Sequence, residues 1–194
     1  CIAMKRVYAH ESIYDKLVDQ LAELAEQAAV GNGLEQGTKL GPLQNKMQFE
    51  KVKGFIEEGR ADGTIVAGGD VPDGKGYFIP PTIVKDIDDD SRLVREEQFG
   101  PVLPVIKYDD IDDVIEKAND TDYGLGGSVW SSDIDRAYDV AKKVDSGTIW
   151  VNKHADIQPH VPFGGIKTSG IGAELGEEGL AEFTARKIIN VAKA

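Results

Sequence analysis

The sequence predicts an α/β fold, a mainly parallel sheet covered by helices, and two observations predict it. Strand-like and helix-like patterns alternate along the whole chain, the rhythm of βαβ units. The longest irregular stretch, 153–173, follows a strand pattern directly. That is where chemistry gathers in open parallel sheets, at the carboxyl ends of the strands.

The elements are expected in the following order. Residues 2–9 (IAMKRVYA) read as a strand. Ser12, with Asp15 three positions on, reads as the cap of a helix over 13–29, whose inward stripe is Ile13, Leu17, Leu21, Leu24 and Ala28. The glycines of 31–42 make a loop. A second helix spans 45–60 with Phe49, Val52, Phe55 and Ile56 inward, and 64–69 is a short strand and turn. Residues 76–84 are extended, and Pro80 and Pro81 place them at a sheet edge or leave them irregular. Strands follow at 101–108, 125–130 and 147–152, with helices at 110–118, 133–144 and 174–183. The final K-I-I-N-V-A (187–192) alternates like a strand that needs an edge to pair with, in its own chain or in a neighbour.

Composition bounds the function. The 194 residues make one domain or a large piece of a bigger protein, and 41% hydrophobic residues suffice for a core. A formal net charge of −12 argues against nucleic acid and anionic membrane surfaces, both of which select basic patches. No apolar run reaches the roughly 20 residues of a membrane helix. A start at Cys1 without Met reads as a chain whose natural beginning lies upstream. The one cysteine makes no internal disulfide, so a reducing compartment, the cytoplasm, is expected. His10, His154 and His160 are too scattered for a metal cluster.

Four local signals carry chemistry. Cys1 is either a small buried hydrophobe or a nucleophile whose thiolate needs a positive or hydrogen-bonding setting. In R-E-E-Q-F-G-P-V (95–102), two carboxylates precede a phenyl ring and a Gly-Pro turn. A carboxylate there can accept two hydrogen bonds from vicinal ribose hydroxyls while the ring walls a flat ligand; equally, the run is a charged helix end before a turn. H-V-P-F-G-G-I-K-T-S-G-I-G (160–172) is a Gly-rich loop that lets backbone approach a ligand, and it matches neither a phosphate loop nor a dinucleotide fingerprint. E-L-G-E-E-G-L (174–180) opens the last helix with glutamates that the helix dipole favours.

Taken in order, C-I-A-M-K-R, G-P-L (41–43), E-E-Q-F-G-P-V (96–102), N-D-T-D-Y-G-L-G-G-S-V-W (119–130), G-T-I-W-V-N (147–152), P-F-G-G-I-K-T-S-G-I-G (162–172) and E-L-G-E-E-G-L resemble the NAD(P)-dependent aldehyde dehydrogenase superfamily over essentially the whole chain. The resemblance implies that Cys1 attacks an aldehyde carbonyl to give a thiohemiacetal, that hydride passes to NAD or NADP, and that water cleaves the thioester to a carboxylic acid. It implies that Glu97 holds the nicotinamide ribose, that Phe99 packs near the nicotinamide, and that Gln48 and Lys51 touch the cofactor from their helix. Phe163 matches an aromatic position at the substrate tunnel, and Asn152 supports the loop after the last catalytic strand. Residues 153–161 shape the substrate entrance, where His154, Asp156, Ile157 and His160 tune specificity. Glu174 matches a glutamate of a proton relay.

The same resemblance divides the chain into a catalytic domain, 1–184, and an oligomerisation strand, 185–194, that builds homodimers or tetramers. It sets the cofactor-binding domain, the general-base glutamate, the oxyanion-hole asparagine and the F-x-N-x-G-Q approach upstream of Cys1. One oxyanion donor is worth about 10²–10³ in rate and a general base roughly 10²–10⁴, so these residues alone are expected to be inactive as a dehydrogenase. Two other readings stay open: a purely structural assembly module, and thioester or esterase chemistry at the thiol.

Overall fold

The computed structural model describes residues 2–193. Cys1, the expected nucleophile, lies outside the described residues. The chain forms two compact units, one of Ala3–Val114 and one holding Ile2 and the chain from Ile115 onward.

The first unit is built on a four-stranded sheet of order β1-β4-β3-β2, with β1 Val7–His10, β2 Thr64–Ala67, β3 Thr82–Lys85 and β4 Val102–Tyr108. β1 and β3 run parallel to β4, and β2 runs antiparallel to β3. Strand residues alternate between two cores. Ile83 and Val105 face helix α1 (Glu11–Gln27), meeting Tyr14 and Val18. Val84, Val102 and Ile106 face helix α2 (Lys46–Asp62), meeting Val52, Phe55 and Ile56, with Leu93 and Val94 of the short helix α3 (Arg92–Arg95). Burying a side chain such as Phe55 in full contributes about 1.5–3 kcal/mol.

Several expectations are corrected here. The first strand begins at Val7 rather than residue 2. α1 is capped by His10, whose Nδ1 accepts from the Ser12 amide at 3.2 Å and also bonds the Ser12 hydroxyl, so Ser12 is inside the helix and not its cap. Ile13 and Leu24 are exposed, while Tyr14 is fully buried; its hydroxyl donates to the Val105 carbonyl at 3.1 Å and accepts from the Asp86 amide at 2.9 Å. Of 76–84, residues 76–81 are irregular, one of the two expected alternatives, while Thr82–Val84 enter β3, an interior strand and not an edge. Pro80 and Pro81 end just before its first residue, so their missing N–H groups cost the ladder nothing.

The second unit carries a parallel pair, β6 (Gly126–Val129) with β7 (Thr148–Val151), joined through helix α5 (Ile134–Ala141). Asp133 caps α5 by accepting from the Arg136 amide at 3.0 Å, and Ala137 is the residue it buries. α5 stops at Ala141, three residues short of the span expected. An antiparallel pair joins β5 (Tyr123–Gly124) to β8 (Ile166–Lys167). The α/β class holds, but hydrogen bonds group the described strands into three sheets instead of one. Helix α4 (Ile111–Asn119) precedes β5, and α6 (Gly176–Ala181) follows β8. Residues 182–193 adopt neither helix nor strand in this single chain.

Among the described residues no helix is long and apolar enough to cross a membrane, and no group of three or more His, Cys, Asp or Glu side chains is arranged to hold a metal ion.

Candidate functional site

In the first unit, four predicted residues come together. Asn45 caps α2, its Oδ1 accepting from the Gln48 amide at 2.9 Å, and so fixes where the helix face begins. Gln48 and Lys51, three apart, share that face. Gln48 Nε2 donates to the carbonyl oxygens of Gln98 at 2.8 Å and Phe99 at 3.1 Å, and Lys51 Nζ donates to that of Glu97 at 2.8 Å. The 97–99 backbone is thereby pinned through its carbonyls, which leaves the side chains of Glu97 and Phe99 available. Phe99 is 57% exposed at φ 49°, an uncommon backbone region for a residue with a side chain.

The two adjacent carboxylates differ. Glu96 pairs with Arg92 at 2.8 Å, and that guanidinium holds its carboxyl below the usual carboxylate range. Arg92 also pairs with Glu58. The half-buried Glu97 carboxylate makes no hydrogen bond or ion pair with a described residue. A carboxylate without a partner among the described residues, beside an exposed phenyl ring, offers the acceptor a vicinal diol needs and an apolar wall for a flat ring.

Two residues beneath this loop were not singled out from sequence. Gln98 is 2% exposed; its Nε2 donates to the carbonyls of Lys5 and Val102, both at 2.7 Å. Lys5 Nζ bonds the Val94 carbonyl at the end of α3. Burial pulls its ammonium down to about 7; the charges of Arg6 and Arg95 act in the same direction, and Glu97 and Glu96 oppose them. A polar residue inside each motif, Lys in C-I-A-M-K-R and Gln in E-E-Q-F, was the available signal.

In the second unit the Gly-rich loop folds onto Trp150, also unanticipated. Trp150 is nearly buried at the end of an apolar strand and donates from Nε1 to the Asp156 carbonyl at 2.9 Å. His154 packs edge-on against it at 5.2 Å, and Phe163 stacks on it at 6.5 Å. His154 Nε2 bonds the Ile2 carbonyl at 2.6 Å. The Asp156 carboxylate is held by Lys153 at 2.5 Å and Gln158 at 2.6 Å, with Lys153 the stronger influence keeping it below the usual range. His154 and Asp156 are therefore engaged in shaping their own loop, while Ile157 and His160 stay exposed.

Asn152 sits at φ 54° at the end of β7. Its Oδ1 accepts from the Ser131 amide at 2.9 Å and its Nδ2 donates to the Ser131 carbonyl at 2.8 Å. Phe163 and Glu174 face each other across an antiparallel bridge, with amide-to-carbonyl bonds of 2.7 and 2.8 Å. Glu174 thus lies before the last helix. α6 starts at Gly176, and Glu177 and Glu178 occupy its first turn.

The whole pattern has close counterparts. The model of the aldehyde dehydrogenase family matches residues 1–189. A mitochondrial aldehyde dehydrogenase of Leishmania tarentolae is 45% identical over 193 residues, covering 99% of this chain and 39% of that protein. Among solved structures, a Mycobacterium tuberculosis aldehyde dehydrogenase complexed with NAD+ superposes with a TM-score of 0.91 at 38% identity, over 96% of this chain and 39% of that one. A Staphylococcus aureus betaine aldehyde dehydrogenase, in complex with NAD+ and carrying a BME-modified cysteine, superposes at 0.89 with 38% identity, over 94% and 38%. The chain thus spans about two-fifths of the length of such relatives. With nearly all of its residues matched at this level of identity, the chain belongs to the aldehyde dehydrogenase family.

Proposed function

We propose that the protein containing these residues oxidises an aldehyde to a carboxylic acid with NAD+ or NADP+, and that these residues supply its nucleophile and the nicotinamide-ribose side of its cofactor site. The observation that carries this reading is the Glu97 carboxylate, unpartnered beside exposed Phe99 on a loop whose backbone Gln48 and Lys51 pin. The cofactor, when bound, accepts the hydride. Glu97 receives the ribose hydroxyls, and Phe99 walls the nicotinamide. The Cys1 thiolate adds to the carbonyl carbon, forming a C–S bond; loss of hydride leaves a thioester, which water cleaves to the acid and free thiol. A relative in complex with NAD+ and carrying a BME-modified cysteine supports a reactive thiol in this family. Phe163, Ile157 and the Asn152-anchored loop line the aldehyde side, and Glu174 passes a proton. The work takes place in a reducing compartment such as the cytoplasm.

These residues taken alone, without the remaining three-fifths of such relatives, turn over no aldehyde. The test is NADH formation by the full-length protein. Cys1→Ala abolishes it, and Glu97→Gln weakens the cofactor about tenfold. Wild-type turnover by Cys1→Ala overturns the reading.

A second role accompanies the first. Phe183, Ile188, Ile189 and Val191 are between 76% and 87% exposed on a segment that forms no strand pairing among the described residues. That supports strand addition to a neighbouring copy by the C-terminal segment, giving a homodimer or tetramer. Size-exclusion chromatography with and without residues 185–194 tests it; an identical elution volume per mass in both overturns it.

A further inference from the structure

We propose that Lys5 is a positioning residue for the Glu97 carboxylate, joining the segment that follows Cys1 to the loop that presents Glu97. The proposal rests on the reading of Glu97 as the ribose ligand. Its basis is a bracket of hydrogen bonds around residues 94–98. The Lys5 ammonium bonds the carbonyl of Val94, three residues before Glu97. The Lys5 carbonyl accepts from the side chain of Gln98, one residue after it. Lys51 then takes the Glu97 carbonyl from the α2 side. With the peptide held on both flanks, the freedom left to Glu97 is the swing of its own side chain.

Lys5 also acts on that swing through its charge. Glu97 is the first of the anions that stabilise the charged form of Lys5, ahead of Glu96. Coulomb attraction is mutual, so the ammonium draws the Glu97 carboxylate toward its own side of the loop. Glu96, bonded to Arg92, is spoken for elsewhere. A ribose diol is held best by an ionised carboxylate that accepts from both hydroxyls, and charge-assisted bonds of this kind exceed neutral ones about twofold. Loss of the ammonium therefore leaves the carboxylate freer to swing away from the diol, and weakens cofactor binding without removing any cofactor contact.

The experiment measures NAD+ and NADP+ affinity by calorimetric titration of the full-length protein. The variants are Lys5→Gln, Lys5→Arg, Glu97→Gln and the double variant Lys5→Gln/Glu97→Gln. Lys5→Gln keeps a donor for the Val94 carbonyl and drops the charge, so the fold is retained and its melting temperature confirms this. Glu97→Gln is expected to weaken binding about tenfold and Lys5→Gln about three- to fivefold. The double variant is expected within about twofold of Glu97→Gln alone, because Lys5 acts through Glu97. Lys5→Arg, charged and able to reach the Val94 carbonyl, restores affinity to within about twofold of wild type. Fully multiplicative losses in the double variant, or wild-type affinity in Lys5→Gln beside a weakened Glu97→Gln, overturn the role of Lys5 alone. Wild-type affinity in Glu97→Gln overturns the ribose assignment, and the proposal falls with it.

Discussion

One side chain of α2, Gln48, donates to two consecutive carbonyls of the facing loop, Gln98 at 2.8 Å and Phe99 at 3.1 Å. A primary amide has two N–H donors, and both are used to hold Phe99 in a left-handed conformation that a phenylalanine avoids by itself. Gln48→Ala is expected to cost about 1–2 kcal/mol of stability and several-fold in cofactor affinity. Gln48→Glu is expected to be worse, since it sets carboxylate oxygens against carbonyl oxygens. Urea unfolding and NAD+ titration measure both; equal behaviour of the two variants contradicts the donor role.

Two glycines of the family-like motifs are required by close approach, and they differ in what opposes a methyl group. At Gly100 an added Cβ collides with the γ-methyl of Val52, a buried side chain of α2. Gly100→Ala should destabilise by about 1–3 kcal/mol, and Val52→Ala, added to it, should recover part of the loss. At Gly147 the Cβ meets the backbone carbonyl of Gly164, which has no rotamer to escape into. Gly147→Ala should leave the second unit unfolded. Limited proteolysis confined to the chain after residue 115 reads this, and protection like that of wild type contradicts it.

The elements with strong periodicity were legible in the sequence, and the details set by tertiary contacts were not. α2 buries Val52, Phe55 and Ile56 as their spacing foretold. The stripe expected for α1 leaves out Tyr14, which is fully buried. Its hydroxyl finds both partners inside the sheet, so the ring goes in and Ile13 and Leu24 stay out. His10 as a cap lies outside the usual Ser, Thr, Asp and Asn set. The gathering of Gln48, Lys51, Glu97 and Phe99 was visible only through the family resemblance, for a helix and a loop about 50 residues apart carry no local sign of their contact. Lys5 and Gln98 were missed for the same reason: a polar side chain in a strand-like run or before a turn announces burial only when its partners are known.

Lys5 gives the first unit a pH-dependent stability with a definite sign. Its folded value, about 7, lies below the 10.5 of the free side chain, so between these limits the unfolded chain binds more protons than the folded one. Stability from this group therefore rises as pH increases from about 7 toward 10.5, and below 7 the cost of burying the ammonium is carried in full. Tyr8, raised by burial, opposes this trend only above its ordinary value of 10.0. Comparing melting temperatures of wild type and Lys5→Met at pH 6.5 and 9 isolates the effect. The difference should shift in favour of wild type at the higher pH; a constant difference contradicts it.

Asn152 combines two roles that substitution can separate. Its backbone occupies the left-handed region at φ 54°, and its amide closes both hydrogen bonds to the Ser131 peptide, tying the end of β7 to the turn after β6. Asn152→Ala loses both bonds, about 1 kcal/mol each, and adds about 1 kcal/mol for the left-handed backbone. Asn152→Gly loses the same bonds but adopts that backbone without strain, so its folded state should be the more stable of the two despite the smaller side chain. Asn152→Asp keeps the acceptor for the Ser131 amide and loses the donor, placing a carboxylate against the Ser131 carbonyl, and should fall to or below Asn152→Ala. Urea unfolding of the three variants gives the order; a glycine variant no more stable than the alanine one shows that conformation contributes nothing at this position. If the anchored turn also shapes the aldehyde entrance, the same variants raise the KM for aldehyde in that order while the affinity for NAD+, proposed for the Glu97 loop, stays unchanged.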